Sequence, residues 1–310
     1  MRPLSAKDIR GNWATLLSAW NADGSPDYGR IGHEIDVLIE TGVDGIYSNG
    51  TAGEFHAQTE EEFTSISELL AGKCNDAGMP FQIGVSHMSA QISLERLRKV
   101  VPLAPGAVQL ILPDWFPVTQ EEALAFLERM ADNAGGIGLV LYNPPHAKRR
   151  LVPAELGFLA DRIPSLVGVK TAGGDDAWYA GMRELIPGLS VFIPGHLLAS
   201  GIQRGASGAY SNVACLNPAA AQRWFDQMLT DMVAALELES RLCLFMDHYI
   251  VPFIRDQAYC NAACDRLMAV MGAWADVGTE MRWPYRSIPV AEARRLRPVA
   301  RELIPEFIGG

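Results

Sequence analysis

The chain has 310 residues, 49% of them hydrophobic, enough to bury a large core either as one α/β barrel or as two ordinary domains. Lys and Arg number 26 against 36 Asp and Glu, and the resulting net charge of −10 repels an extended phosphate backbone, which argues against nucleic acid as a partner. The five cysteines (Cys74, Cys215, Cys243, Cys260 and Cys264) form no CxxC pair and no metal-finger spacing, and an odd number makes a poor disulfide framework.

A reducing, cytoplasmic setting is therefore expected. Residues 1–11 are polar and charged and lack the apolar stretch of a secretory signal, and no later apolar run approaches membrane-spanning length. A soluble protein that needs no membrane follows. Cys260 and Cys264 are four residues apart and are expected to stack on one helical face as packed thiols.

In chain order, short β-rich apolar runs alternate with segments of helical period. A strand is predicted over 13–17 and a helix over 28–40, then a strand at 45–47 and a helix from 59 to 72. The strand 81–85 precedes a helix over 89–103, and the strand 107–112 precedes a helix over 119–134. Thr59 with Glu62, and Thr119 with Glu122, are capping-box pairs that mark two of these helix starts. The alternation continues with strands at 137–142, 166–170, 190–193 and 208–211, and with helices at 153–162, 175–185 and 197–204.

Eight strands, each followed by a helix and with few hairpin signals, favour a closed parallel (β/α)8 TIM barrel, with an open doubly wound sheet as the alternative. After Pro218 the β pattern stops, and helices are predicted over 219–229, 232–249, 256–274 and 290–303. The expected organisation is a barrel over 1–230 and a C-terminal helical extension packed on it over 231–310.

In a parallel barrel the active site lies where strand C-termini meet the following loops, so polar residues that end strands carry the chemistry. Three such places stand out. Gly50-Thr51-Ala52-Gly53-Glu54 follows the second strand, and its glycines and exposed N–H groups suit a carboxylate, though a plain loop has the same composition. Tyr142-Asn143-Pro144-Pro145 ends the fifth strand, where the phenol reads either as a packing residue or as a proton donor. Val167-Gly168-Val169-Lys170 ends the sixth strand in a lysine, which is rare on an interior strand unless it pairs with a carboxylate or reacts. A partly desolvated amine has a lowered pKa and can attack a ketone to give an imine.

Taken together these segments resemble the dihydrodipicolinate synthase and N-acetylneuraminate lyase superfamily of Schiff-base-forming aldolases. The resemblance rests on Gly50 to Glu54 with Thr59-Glu60-Glu61, on Tyr142-Asn143-Pro144, and on Gly168-Val169-Lys170 with Gly174-Asp175. It extends to Gly11, Asp23-Gly24-Ser25, Gln120-Glu121 and Gly205-Ala206-Ser207-Gly208, and so spans nearly the whole chain. Matched by position, it implies Lys170 as the Schiff-base lysine, Tyr142 as the phenol that shuttles protons and Thr51 as its hydroxyl relay. The amides of Thr51 and Ala52 would bind the carboxylate of a 2-oxo acid, and the stretch Tyr210-Ser211-Asn212 would border the lysine, with Tyr210 or Ser211 touching substrate. No cofactor beyond the covalent imine and no metal are implied, and the family assembly is a homotetramer built from two dimers.

Two departures narrow the expectation. The synthases carry a Pro-Tyr-Tyr segment after the fourth strand, where this chain reads Pro113-Asp114-Trp115; the Trp115 indole cannot relay a proton as a phenol does, and as a substrate-binding residue it favours a bulkier apolar group. The arginine that binds the synthases' second substrate is replaced by Ala147; Lys148, Arg149 and Arg150 follow it, and His146 precedes it as a loop residue or site base. With Phe55 and His56 near the inferred mouth, the second substrate is expected to differ from aspartate semialdehyde. The expected activity is a metal-independent lyase or aldolase that makes or cleaves a 2-oxo acid, with pyruvate as one half and an aldehyde as the other. A dihydrodipicolinate synthase, a sugar-acid dehydratase or a hydratase-aldolase are the alternatives within the family, and a 2-oxo-acid-binding regulatory protein is the alternative outside enzymology.

Overall fold

The computed structural model describes residues 1–308. Eight strands alternate with helices: β1 (Gly11–Thr15), α1 (Tyr28–Glu40), β2 (Gly45–Ser48), α2 (Glu60–Ala77), β3 (Phe81–Gly84), α3 (Ala90–Val100), β4 (Ala107–Ile111), α4 (Gln120–Asn133), β5 (Gly138–Tyr142), α5 (Pro153–Arg162), β6 (Leu166–Lys170), α6 (Asp176–Leu185), β7 (Ser190–Phe192), α7 (Leu198–Arg204) and β8 (Gly208–Tyr210). All strands are parallel, and β8 returns to pair with β1, so the sheet closes into a (β/α)8 barrel. Closure is tight at this seam, where a side chain on Gly208 would come within 2.4 Å of the Gly11 carbonyl oxygen.

Helices follow: α8 (Asn212–Leu216), α9 (Pro218–Thr230), α10 (Met232–Phe245), α11 (Val251–Arg255), α12 (Asn261–Gly272) and α13 (Val290–Leu303). Among the described residues no helix is long and apolar enough to cross a membrane. One apolar core runs between the barrel wall and its surrounding helices and continues without a break into α12 and α13. A second, smaller cluster fills the barrel itself, with Trp13, Tyr47, Val140, Phe192 and Tyr210 packed over Leu4 and Ile9. The strands are thus buried on both faces, which explains why they read as continuous apolar runs.

Local chemistry sets most element ends. Thr59 and Thr119 each accept the amide three residues on, at 3.2 Å, while Glu62 and Glu122 reach back to the cap amides. Helix α2 passes Gly72 and stops at Gly78 in the left-handed conformation, so it is longer than its period predicts.

Three further boundaries depart from expectation for local reasons. Leu17 lies outside β1 because its amide is taken by the Glu34 carboxylate at 2.7 Å rather than by a neighbouring strand. The helix expected over 232–249 widens into a π turn at Met246–Ile250, where Pro252 has no N–H to continue the regular ladder. The helix expected over 256–274 is broken: Ala258 takes a left-handed conformation (φ 56°), and α12 starts only at Asn261. Cys260 is consequently the N-cap residue of α12, just outside the helix that carries Cys264.

One irregularity bears directly on the site. Leu139 of β5 pairs with Leu166 of β6, but Val140 pairs with Gly168, so Val167 is the extra residue of a β-bulge. Beyond the bulge Tyr142 pairs with Lys170. Because side chains alternate along a strand, the face that carries Val140 into the barrel interior also carries Tyr142 and, on β6, Lys170.

Candidate active site

At the C-terminal mouth of the barrel the Lys170 Nζ lies 4.3 Å from the centroid of the Tyr142 ring and 5.3 Å from that of Tyr210. Both residues line a cavity of about 250 Å³ that also takes in Thr51, Ala52 and Asp265. Burial pushes the Lys170 amine down to about 8 against the opposing pull of the Asp265 carboxylate and, more weakly, of Cys215. At pH 7 roughly one Lys170 in ten is then neutral, against roughly one in three thousand at the ordinary 10.5, a gain of about 300-fold in the nucleophilic form.

Tyr142 shows the opposite response to the same surroundings. Burial raises its phenol to about 12, while the Thr51 side chain beside it favours the ionised form. The phenol is therefore protonated in the resting site and available as a donor. Tyr210 differs: its hydroxyl donates to Gln82 Oε1 at 2.5 Å inside the barrel, so the ring forms cavity wall while the polar end is committed below it. Tyr47 does the same toward Gln109, and the two rings meet at 4.6 Å, tilted by 44°.

The loop after β2 is a tight turn, with Asn49 and Glu54 both at φ 53°. Gly50 is required there, since a Cβ would sit 2.4 Å from the Tyr47 ring. The turn's own bonds use the amides of Glu54 (to the Thr51 carbonyl, 3.0 Å) and Phe55 (to the Gly50 carbonyl, 3.3 Å) and leave those of Thr51 and Ala52 free. Successive free N–H groups of this kind form a carboxylate cradle.

The sequence model of the Dihydrodipicolinate synthetase family matches residues 8–298. The chain belongs to this family. It is 26% identical over 306 residues to an N-acetylneuraminate lyase of Enterobacter sp. (strain 638), a match covering 97% of this chain and 96% of that protein. It is 23% identical over 194 residues to a trans-O-hydroxybenzylidenepyruvate hydratase-aldolase of Sphingobium xenophagum, covering 59% of this chain and 55% of that protein. The match thus spans about half the length of the hydratase-aldolase. The fold matches the crystal structure of YagE, a prophage protein of the dihydrodipicolinic acid synthase family from E. coli K12 in complex with pyruvate, with TM-score 0.84, 21% identity, and 95% and 98% of the two chains covered. This dihydrodipicolinate synthetase family member therefore falls within the aldolase and lyase superfamily that its relatives represent.

Of the residues singled out from sequence, Lys170, Tyr142, Thr51, Ala52 and Tyr210 meet in the one cavity. Two others do not line it. Ser211 is 1% exposed and caps α8, accepting the Ala214 amide at 3.2 Å; one residue past Tyr210, its side chain leaves the strand on the other side. Trp115 is 67% exposed on the loop after β4 and is held there by Lys148, whose Nζ lies 2.7 Å from the Trp115 carbonyl and 5.1 Å from its ring. The basic run is likewise engaged outside the cavity, since Arg149 pairs with Glu155 at 2.6 Å. A narrower cleft of about 60 Å³ lies between Arg149, His146, Asp114 and Phe55 and shares Thr51 and Tyr142 with the main cavity.

The cavity also contains a wall that the strand pattern does not reveal. Asn261, Cys264, Asp265 and Met268 line it from one face of α12. Their i, i+3, i+4, i+7 spacing is visible in the sequence, and Asp265 is the one carboxylate in that apolar stripe. Burial raises Asp265 to about 7, against the opposing charges of Lys170 and Arg266. The Cys215 and Cys264 thiols also face the cavity, and burial pushes both far above the range in which a thiol ionises. Among the described residues no group of three or more His, Cys, Asp or Glu side chains is placed to hold a metal ion.

Proposed function

We propose that this protein is a Schiff-base lyase or aldolase that forms or cleaves a 2-oxo acid, with pyruvate as the enamine-forming half and an aldehyde as the other. The observation that carries the reading is the partly desolvated Lys170 amine set against the Tyr142 ring at the base of the cavity. The neutral amine adds to C2 of the 2-oxo acid, and the carbonyl oxygen, protonated from Tyr142, leaves as water. In cleavage, the hydroxyl on the carbon two away from the imine carbon gives its proton to the Tyr142 phenolate left by the first step, and the carbon–carbon bond breaks. The electron pair moves into the protonated imine to give an enamine, and the aldehyde departs. Protonation of the enamine and hydrolysis then release pyruvate and restore Lys170. Thr51 relays the proton to and from Tyr142, and the free Thr51 and Ala52 amides hold the carboxylate. No cofactor beyond the imine takes part in this scheme, and no metal is assigned a step.

Incubation with pyruvate and borohydride, then digestion and mass spectrometry, tests the reading. The expected product is a reduced pyruvyl adduct on Lys170 and pyruvate release from some member of a panel of aldol products. Folded protein with no adduct contradicts it, and an adduct without turnover on any aldol supports a 2-oxo-acid-binding regulator instead. The five free thiols support a reducing, cytoplasmic location. Trp115 and Phe116, 67% and 77% exposed, support subunit contacts in a homotetramer, which light scattering checks as a mass of four chains rather than one.

A further inference from the structure

Asp265 stands out because no described residue pairs with it. It faces the cavity from α12, outside the barrel strands, and it takes no hydrogen bond from any described residue; its surroundings act on it only through burial and the charges of Lys170 and Arg266. Its carboxylate opens into the cavity with its acceptor capacity unused by the protein, so a bound molecule that carries donors can engage it. Its position is also fixed. The next residue, Arg266, is wholly buried and bonds Glu54 through Nε at 2.9 Å, so α12 cannot swing Asp265 away from the Thr51 loop.

The rest of the lining adds charge selection. Among the described residues Lys170 is the only Lys or Arg that lines this cavity, and imine formation commits it to the 2-oxo carbon. His196 is held neutral by burial, and its Nδ1 is engaged by the Asn212 amide at 3.0 Å. Once the Thr51 and Ala52 amides hold the 2-oxo acid's carboxylate, the one basic side chain of the adjoining cleft, Arg149, is already paired with Glu155, and the Asp265 carboxylate opposes a second anionic group.

We infer that Asp265 is a specificity-determining residue that accepts hydrogen bonds from hydroxyls on the non-pyruvyl half of the substrate and excludes an anionic group there. The substrate class is a 2-oxo acid whose tail is uncharged and hydroxylated. This deepens the proposed function and rests on imine formation at Lys170.

Imine trapping tests it without requiring turnover. Half-saturating concentrations for borohydride-trapped adduct are measured for pyruvate, for a 2-oxo acid with a dihydroxylated neutral tail, and for 2-oxoglutarate, each in wild type and in Asp265→Asn. All values are taken at one pH above 8, where the Asp265 carboxyl is ionised, as ratios to pyruvate, which removes any change in Lys170 itself. In the wild type the neutral tail is expected to saturate at a concentration at least about tenfold below that of 2-oxoglutarate, the scale of one charge-assisted hydrogen bond. Asp265→Asn should bring the two within about threefold, chiefly by admitting 2-oxoglutarate. A wild type that takes 2-oxoglutarate equally well, or a folded Asp265→Asn protein with the wild-type ratio, overturns the inference. Absence of any pyruvate adduct in the wild type instead removes the imine reading on which it rests.

Discussion

Glu54 and Arg266 form an ion pair in which both side chains are 0% exposed, with Nη2 to Oε1 at 2.5 Å. The pair joins the loop that carries Thr51 to the helix that carries Asp265. Glu54 also accepts the Trp20 indole N–H at 2.8 Å and the Arg282 amide at 3.1 Å, and Arg266 donates to the Ser18 carbonyl. Three separated segments are thereby fixed around one carboxylate, which holds the α12 wall of the cavity in register with the Thr51 loop.

Breaking this pair from either side leaves a buried charge uncompensated. Glu54→Gln or Arg266→Met should each destabilise the fold by about 3–5 kcal/mol, read as a lowered midpoint in denaturant unfolding. Replacing both partners together with Leu and Met should cost less than either single change, because no charge is then stranded. A loss below about 1 kcal/mol in both single variants contradicts the assigned role.

The assigned chemistry separates two variants cleanly. Lys170→Ala should abolish trapped adduct while the protein stays folded. Tyr142→Phe removes only the hydroxyl and keeps the ring against Lys170, so circular dichroism should be unchanged while turnover falls by about 10²–10⁴. Wild-type turnover in Tyr142→Phe contradicts its place in proton transfer.

The pH dependence has a definite sign. With Lys170 lowered by burial to about 8, its amine is charged below that pH and neutral above it, so the imine-formation rate should rise with pH and reach half its plateau near 8. The Asp265 charge favours the ammonium form and opposes this lowering. Asp265→Asn should therefore move the half-rise to lower pH. A half-rise near the ordinary 10.5 in the wild type contradicts a buried amine.

Much of this architecture was legible in the sequence because it rests on local chemistry. The spans predicted for α1, α5, β6 and α13 coincide with the observed ones, since apolar period and cap residues determine them. Lys170, Tyr142 and Thr51 were visible as polar residues at strand ends. The bulge at Val167 was not, because pairing register is a tertiary property and a Val-Gly-Val run gives no sign of which residue is extra. Ser211 was misplaced for a related reason: a strand end misjudged by one residue reverses the side-chain direction. Trp115 failed as a cavity residue because loop direction has no period to read. Asp265 was overlooked because the predicted helix ran through the break at Ala258, which hid the separate cavity-facing stripe of α12.

Metal dependence gives a further check. Exhaustive chelation should leave turnover within about twofold of the untreated protein, because the protonated imine at Lys170 serves as the electron sink that a Lewis acid otherwise supplies. Activity lost on chelation and restored by a divalent ion contradicts the scheme.

The central claim is that Lys170 becomes covalently bound to a 2-oxo acid in the cavity shared with Tyr142 and Thr51. A crystal soaked with pyruvate tests this most directly. The expected result is continuous density from Lys170 Nζ to C2 of pyruvate, with the carboxylate on the Thr51 and Ala52 amides. An unmodified Lys170 in a crystal that holds pyruvate noncovalently, or at another site, would contradict it.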